Sequence, residues 1–225
     1  MRTISQKYIL FLVIVLLTVS CHDNSTNPPN NIDIGSAKDY FALKEGNWWS
    51  YTTSSFPSNQ VPYKISSYSS RITIGDTSRH QDGSLIYQYS LYVAARVPYT
   101  IIYYYAVTDS GISQYYGIQD SIYINGQWIS TKYPKVPILI DPISVGRTWV
   151  VQNSNSQDIY KIVSISQQII YGISRPLICL VHLTSSNIDT SWYAKDIGLI
   201  YIHSYILGVT PLQGTTKILD SCLVQ

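Results

Sequence analysis

The 225-residue sequence is short of charge, of helix formers and of long apolar runs. Charged residues make up 12%, about half the usual share of roughly 25%. There is a single Glu, Glu45, together with six Ala and only the initiator Met. Strong helix formers are therefore scarce, which argues against a helical fold. No basic run exists, and once Arg2 and Lys7 are set aside, thirteen Lys/Arg face thirteen Asp/Glu. A balanced chain lacks the positive footprint that nucleic acid requires, and it offers little to an anionic lipid surface.

Catalytic signatures are also missing. There is no G-x-S-x-G, H-E-x-x-H, EF-hand, Gly-rich phosphate loop or C-x-x-C. With one Glu, a glycosidase pair would have to be Asp–Asp. Asp76, His80 and Asp82 in GDTSRHQDG could approach a metal, but a solvated hairpin turn has the same composition. His182 and His203 sit in neighbouring apolar stretches and read as hydrogen-bonded strand histidines. No cofactor is implied.

What the chain does contain begins with an address. Met1–Lys7 carries two cations and no acid, and Tyr8–Leu17 is ten apolar residues, the size of a signal h-region and too short to span a bilayer comfortably. LTVSC follows and resembles a lipobox, with Thr18 at the place where Leu, Val or Ile is usual. The resemblance implies cleavage before Cys21 and lipidation there with a diacylglycerol and a further acyl chain such as palmitate. One chain anchors reversibly at ~0.8 kcal/mol per buried CH₂, so two or three make the attachment lasting. An ordinary secretory signal with an incidental cysteine is the alternative. His22, rather than Asp, follows the cysteine and favours the outer membrane. The polar run HDNSTNPPNN cannot bury apolar area and reads as a tether.

The mature 205 residues are rich in Val, Ile, Thr and Tyr, with 21 Tyr against three Phe. This is β composition, and tyrosine suits half-wet sheet faces. Strands are predicted at 48–54, 62–75, 84–95, 100–108, 111–117, 120–131, 147–152, 157–170, 175–184, 189–194, 198–207 and 215–223, with one helical turn within Asp39–Lys44. Asp82-Gly83, Asp109-Ser110-Gly111 and Asn125-Gly126 are hairpin cues. About a dozen short strands without helices between them predict an all-β, curved antiparallel sheet, as a half-barrel or a two-lobed sandwich. The expected layout is a signal peptide at 1–20, a lipidated cysteine and tether at 21–37, and one β domain at 38–225. Gly46-Asn-Trp-Trp49 and Gly146-Arg-Thr-Trp149 echo one another, but so few positions can recur by chance.

Cys179 and Cys222 remain after Cys21 is acylated. In an oxidising compartment such an even pair is expected to form a disulfide. Tyr103, Tyr105, Tyr115 and Tyr116 are the candidate binding surface, because exposed tyrosines stack on sugars or form protein contacts. Sheet propensity alone also accounts for them.

Two further segments carry a family resemblance. Tyr40-Phe41-Ala42-Leu43-Lys44-Glu45-Gly46-Asn47-Trp48-Trp49-Ser50-Tyr51 resembles the opening Tyr-Phe-Pro-Leu-x-x-Gly-Asn-x-Trp-x-Tyr of a group of bacterial lipoproteins of the Bacteroidetes–Ignavibacteria type. Trp192-Tyr193-Ala194-Lys195-Asp196-Ile197-Gly198-Leu199-Ile200 is similar to their closing Trp-Tyr-Ala-x-Gly-Val-Gly-x-Val. Ala42 stands where that group has Pro, and Asp196 where it has Gly. The resemblance implies a curved sheet like the half-barrels of periplasmic lipoprotein carriers, and it implies no activity. The expected function is a membrane-anchored, non-catalytic module that meets an envelope protein or glycan. The alternatives are a carrier of an apolar acyl chain and, further off, a hydrolase with an unrecognised site.

Overall fold

The computed structural model describes residues 32–56, 66–79, 84–115, 122–124, 127–129, 135–152, 157–208 and 213–225. Cys21, the expected signal segment, His80, Asp82 and Tyr116 lie outside the described residues. A 3-10 helix, Ala37–Tyr40, precedes β1 (Trp48–Phe56), β2 (Ser66–Arg79), β3 (Leu85–Ala94), β4 (Tyr99–Thr108) and β5 (Gly111–Tyr115). Then come the short β6 (Ile122–Ile124) and β7 (Gln127–Ile129), followed by β8 (Lys135–Ile140), β9 (Thr148–Gln152) and β10 (Gln157–Ile170). The chain ends with β11 (Ile173–Leu183), β12 (Asn187–Ala194), β13 (Gly198–Ile206) and β14 (Gln213–Leu223). The all-β expectation holds. The stretch read as one strand at 120–131 is instead a hairpin, with Ile124 paired to Gln127 around the Asn-Gly cue.

Twelve strands form one antiparallel sheet in the order β8-β5-β4-β3-β2-β1-β14-β13-β12-β11-β10-β9. Two meanders are thus joined where the first strand pairs with the last, Trp49 opposite Cys222. Register shifts after Ser50, Ile74, Ile112, Ile162 and Trp192 bend the strands, as bulges do. The sheet curls until its two end strands approach. Across that seam the Trp149 indole donates to the Pro137 carbonyl at 2.9 Å. The result is a nearly closed barrel rather than two lobes.

The two Gly-x-x-Trp echoes occupy equivalent places. Gly46 (φ +84°) and Gly146 (φ +85°) both sit in the left-handed region that favours glycine. Gly46 N–H donates to Ile74 O while Ile74 N–H donates back to Asn47 O. Gly146 and Arg147 make the same reciprocal pair with Ile162. Each Trp indole then donates to a backbone carbonyl, Trp49 to Ile197 and Trp149 to Pro137.

The 3-10 helix closes one end. Ala37 and Tyr40 are fully buried, and Ala37 N–H donates to the Asp141 carboxylate at 2.8 Å. Asp196 N–H donates to Asp39 O at 2.7 Å. Residues read as tether up to position 37 therefore belong in part to the fold: Ile34 packs on the core and Lys195 Nζ reaches Asp33 Oδ2 at 2.7 Å. The helical turn lies at Ala37–Tyr40, not within Asp39–Lys44. Asp196 takes φ +61°, a conformation that suits the Gly of the resembling group, and Arg175 braces its carboxylate at 3.1 Å. Ala42 takes φ +44°, which a proline ring forbids, so the backbone here departs from the Pro-bearing pattern.

Candidate functional site

Strand alternation assigns one face of each strand of the twelve-stranded sheet to the barrel interior. Trp49, Tyr51 and Thr53 of β1 point inward, and so do Tyr87, Tyr89 and Leu91 of β3 and Tyr103 and Tyr105 of β4. Part of this interior is hollow, with a cavity of about 340 Å³. Tyr51, Ile72, Tyr89, Leu91 and Tyr103 line one wall, and Tyr193, Leu199, Ile202 and Lys217 line the other. Tyr40 and Phe41 form its floor, so the 3-10 helix acts as the plug of the lumen. The volume falls at the low end of small-molecule sites, roughly 300–1,000 Å³.

The rings form a connected wall. Phe41 stacks on Tyr193 at 5.1 Å and leans on Tyr105 at 5.7 Å. Tyr89 meets Tyr105 edge-on at 5.0 Å and Tyr103 at 6.1 Å. Tyr51 donates its hydroxyl to Leu199 O at 2.8 Å. Removal from water holds these phenols neutral: burial raises the pKa of Tyr193 to about 12, and lifts Tyr51 and Tyr89 well above the usual tyrosine range. They therefore offer apolar ring faces with a few neutral donors and acceptors.

Among the described residues, one cation lines this lumen. Lys217 of β14 is paired in register with Thr53 on one side and Ile202 on the other, and its ammonium stands 5.6 Å from the Tyr51 ring centre. Burial pulls its pKa below the ordinary lysine range. Asp189 lines the same cavity. Beside it, His182 has Asp158 at 3.7 Å and Asp189 at 3.6 Å from its two ring nitrogens, and its ring stacks on Tyr160 at 4.2 Å. His203 is opposite Thr190, one residue on from Asp189, and so faces away from the lumen, against Tyr205 at 4.3 Å. The two histidines do not converge.

A wider cleft of about 680 Å³ lies between the 3-10 helix and the β3–β4 wall, bordered by Lys38, Asp39, Ser84, Thr108, Asp109 and Lys135. Its lining is mostly charged and hydroxylic, without the aromatic wall of the lumen.

The expected tyrosine surface is divided. Tyr103 and Tyr105 are in the interior wall; Tyr115 is buried on the opposite face with Ile86 and Ala106. The two strands of the predicted patch, β4 and β5, thus turn its described tyrosines to two different faces. The expected disulfide is absent. Cys179 on β11 and Cys222 on β14 are not bonded to one another, with β12 and β13 between them. Three strand spacings of ~4.8 Å and an offset along β14 from Ile218, the register partner, to Cys222 separate them, well beyond the ~7 Å that a disulfide tolerates. Lys217 was not singled out from sequence. The signal was its place among β-branched residues in TTKILD, which can be read as an outward polar residue equally well.

No protein family matches the chain, and no curated protein matches it. Two solved structures are similar to it in shape. One is a candidate lipoprotein from Parabacteroides distasonis, with 8% identity and a TM-score of 0.45, covering 82% of this chain and 98% of that one. The other is a candidate exported protein with a YmcC-like fold from Bacteroides fragilis, with 12% identity, a TM-score of 0.45 and the same coverage.

Proposed function

We propose that this chain is a lipid-anchored protein of the bacterial cell envelope, held by Cys21 at the outer membrane, that binds a ligand in its barrel without transforming it. The observation that carries the binding reading is the plugged, aromatic lumen. Six tyrosine rings surround a space that the neighbouring side chains leave open, where an ordinary core would be filled to crystal-like density. This favours the carrier over the external tyrosine surface, since Tyr103 and Tyr105 look inward. The anchor rests on the h-region, LTVSC and the polar tether.

Two measurements test it. Cys21→Ser should move the protein from the membrane fraction to the soluble one and abolish acyl labelling; a mutant that stays on the membrane sinks the anchor. The small neutral fluorophore 1-naphthylamine should bind one per barrel, and Leu91→Trp, which fills the lumen, should abolish that binding while the β-sheet spectrum persists. Equal binding by the filled variant, or none by the parent, overturns the carrier.

A second reading keeps one specific support. Trp192, Tyr201, His203 and Tyr205 form a contiguous ring row on the outer face of β12–β13, with centres 4.9, 6.3 and 4.3 Å apart. Such a row suits contact with an envelope protein or glycan. Tyr205→Ala would weaken capture of that partner and leave the fluorophore untouched.

A further inference from the structure

We propose that the lumen selects a monoanionic carboxylate on an apolar body, with Lys217 and Thr53 holding the head group; this rests on the lumen being the binding site. A lysine directed into an aromatic cavity is costly unless something balances its charge. Among the described residues, no carboxylate comes within 4.0 Å of the Lys217 ammonium, and no hydrogen bond is made to it. Its neighbour in the structure is the Tyr51 ring, whose face attracts a cation but neutralises none of it.

An independent observation lies directly across the strand pair. Thr53, paired with Lys217 and on the same inward face, is 2% exposed, and its hydroxyl has no hydrogen-bond partner. Buried hydroxyls in native proteins are ordinarily satisfied. The ammonium stands on the cavity wall and the unpartnered hydroxyl is buried just behind it on the same face; a small side-chain shift would let one carboxylate take an N–H donor for one oxygen and an O–H donor for the other. The single lysine, with Asp189 on the same cavity, limits the head to one negative charge.

The body follows from the walls. Ile72, Leu91, Tyr89 and Tyr103 present aliphatic and ring surface. At ~30 Å³ per water-sized group, a cavity of about 340 Å³ accepts about eleven non-hydrogen atoms. That is the size of a ten-carbon fatty acid or a bicyclic aromatic acid.

Calorimetric titration of the purified protein with decanoate, and with decan-1-ol as its neutral counterpart, tests this. The parent should bind decanoate at least tenfold more tightly than decan-1-ol. Lys217→Met should erase that preference, Lys217→Arg should keep most of it, and Thr53→Val should reduce it in part. An unchanged melting temperature or a raised one shows that the variants are folded. If parent and Lys217→Met treat acid and alcohol alike, the head-group assignment is overturned while the lumen survives as a site. If neither compound binds the parent, nor does 1-naphthoate or 1-naphthylamine, both readings fall.

Discussion

The barrel has a packed region and a hollow one, and each begins with the same Gly-x-x-Trp element. Behind Gly146, strands β9–β11 turn Ile162, Ile165, Ile178 and Leu180 inward against Ile112, Val136 and Leu139, all of them buried. Trp149, Tyr160 and His182 stack over this core with ring centres 5.4 and 4.2 Å apart. Behind Gly46, strands β1–β4 turn Tyr51, Tyr89, Tyr103 and Tyr105 inward, and the space between them stays open. Backbone geometry at the two elements is nearly identical, so the difference lies in the side chains. Branched aliphatic groups interdigitate and fill a curved interior. Tyrosines carry a hydroxyl that seeks a partner at the end of a rigid ring, and a wall of them holds a cavity open.

The comparison breaks first at the seam. Trp149→Ala removes the stack on Tyr160 and the bond to Pro137, and should cost about 3–5 kcal/mol in chemical denaturation, the usual range for a buried Trp. A cost below about 1 kcal/mol would mean that the seam does not hold the barrel together. Next, Ile178→Ala in the packed region should cost about 2–5 kcal/mol, because the neighbours cannot collapse onto the void. Leu91→Ala on the lumen wall should cost clearly less, since it enlarges a space that already exists. Equal losses at the two sites would erase the distinction between the regions.

Lys217 sharpens the comparison in the opposite direction. Its pKa lies below the unfolded value of 10.5, so the unfolded chain takes up the proton more readily than the folded one. The resulting burden on stability is full at neutral pH and is relieved as pH rises toward 10.5. Lys217→Met should therefore raise the melting temperature at pH 7, by roughly 2–4 °C for each ~1 kcal/mol regained, and the gain should shrink by pH 10. A lower melting temperature at pH 7 would show that the ammonium is already satisfied. The smallest effect concerns the thiols: dithiothreitol should leave the melting temperature unchanged, because Cys179 and Cys222 are not bonded. A drop on reduction would restore the disulfide.

Much of the fold was legible in the residues. Asp109-Ser110-Gly111 makes the β4–β5 turn with Gly111 at φ +131°, and Asn125-Gly126 separates β6 from β7. These are local matters, decided by which residues tolerate a given backbone angle. The Gly-x-x-Trp echo was visible but could not be told from chance, since its meaning lies in bonds to Ile74 and Ile162, far along the chain. The tyrosine site was half legible: Tyr103 and Tyr105 do line the candidate site, but composition could not say whether they face inward or outward. Their neighbour Tyr115 faces the other way.

By itself, then, the sequence determined the all-β class and most turns, because β-branching and glycine act within a few residues of themselves. Tertiary structure alone decided which side of each strand is inside. A one-residue slip exchanges the two faces of a strand, and only pairing with distant strands sets it. In β14 that pairing leaves Ile218 50% exposed and turns Lys217 into the lumen, the reverse of what hydropathy would choose. The same pairing separates Cys179 from Cys222 by two intervening strands and brings Thr53 opposite the one cation that lines the cavity among the described residues.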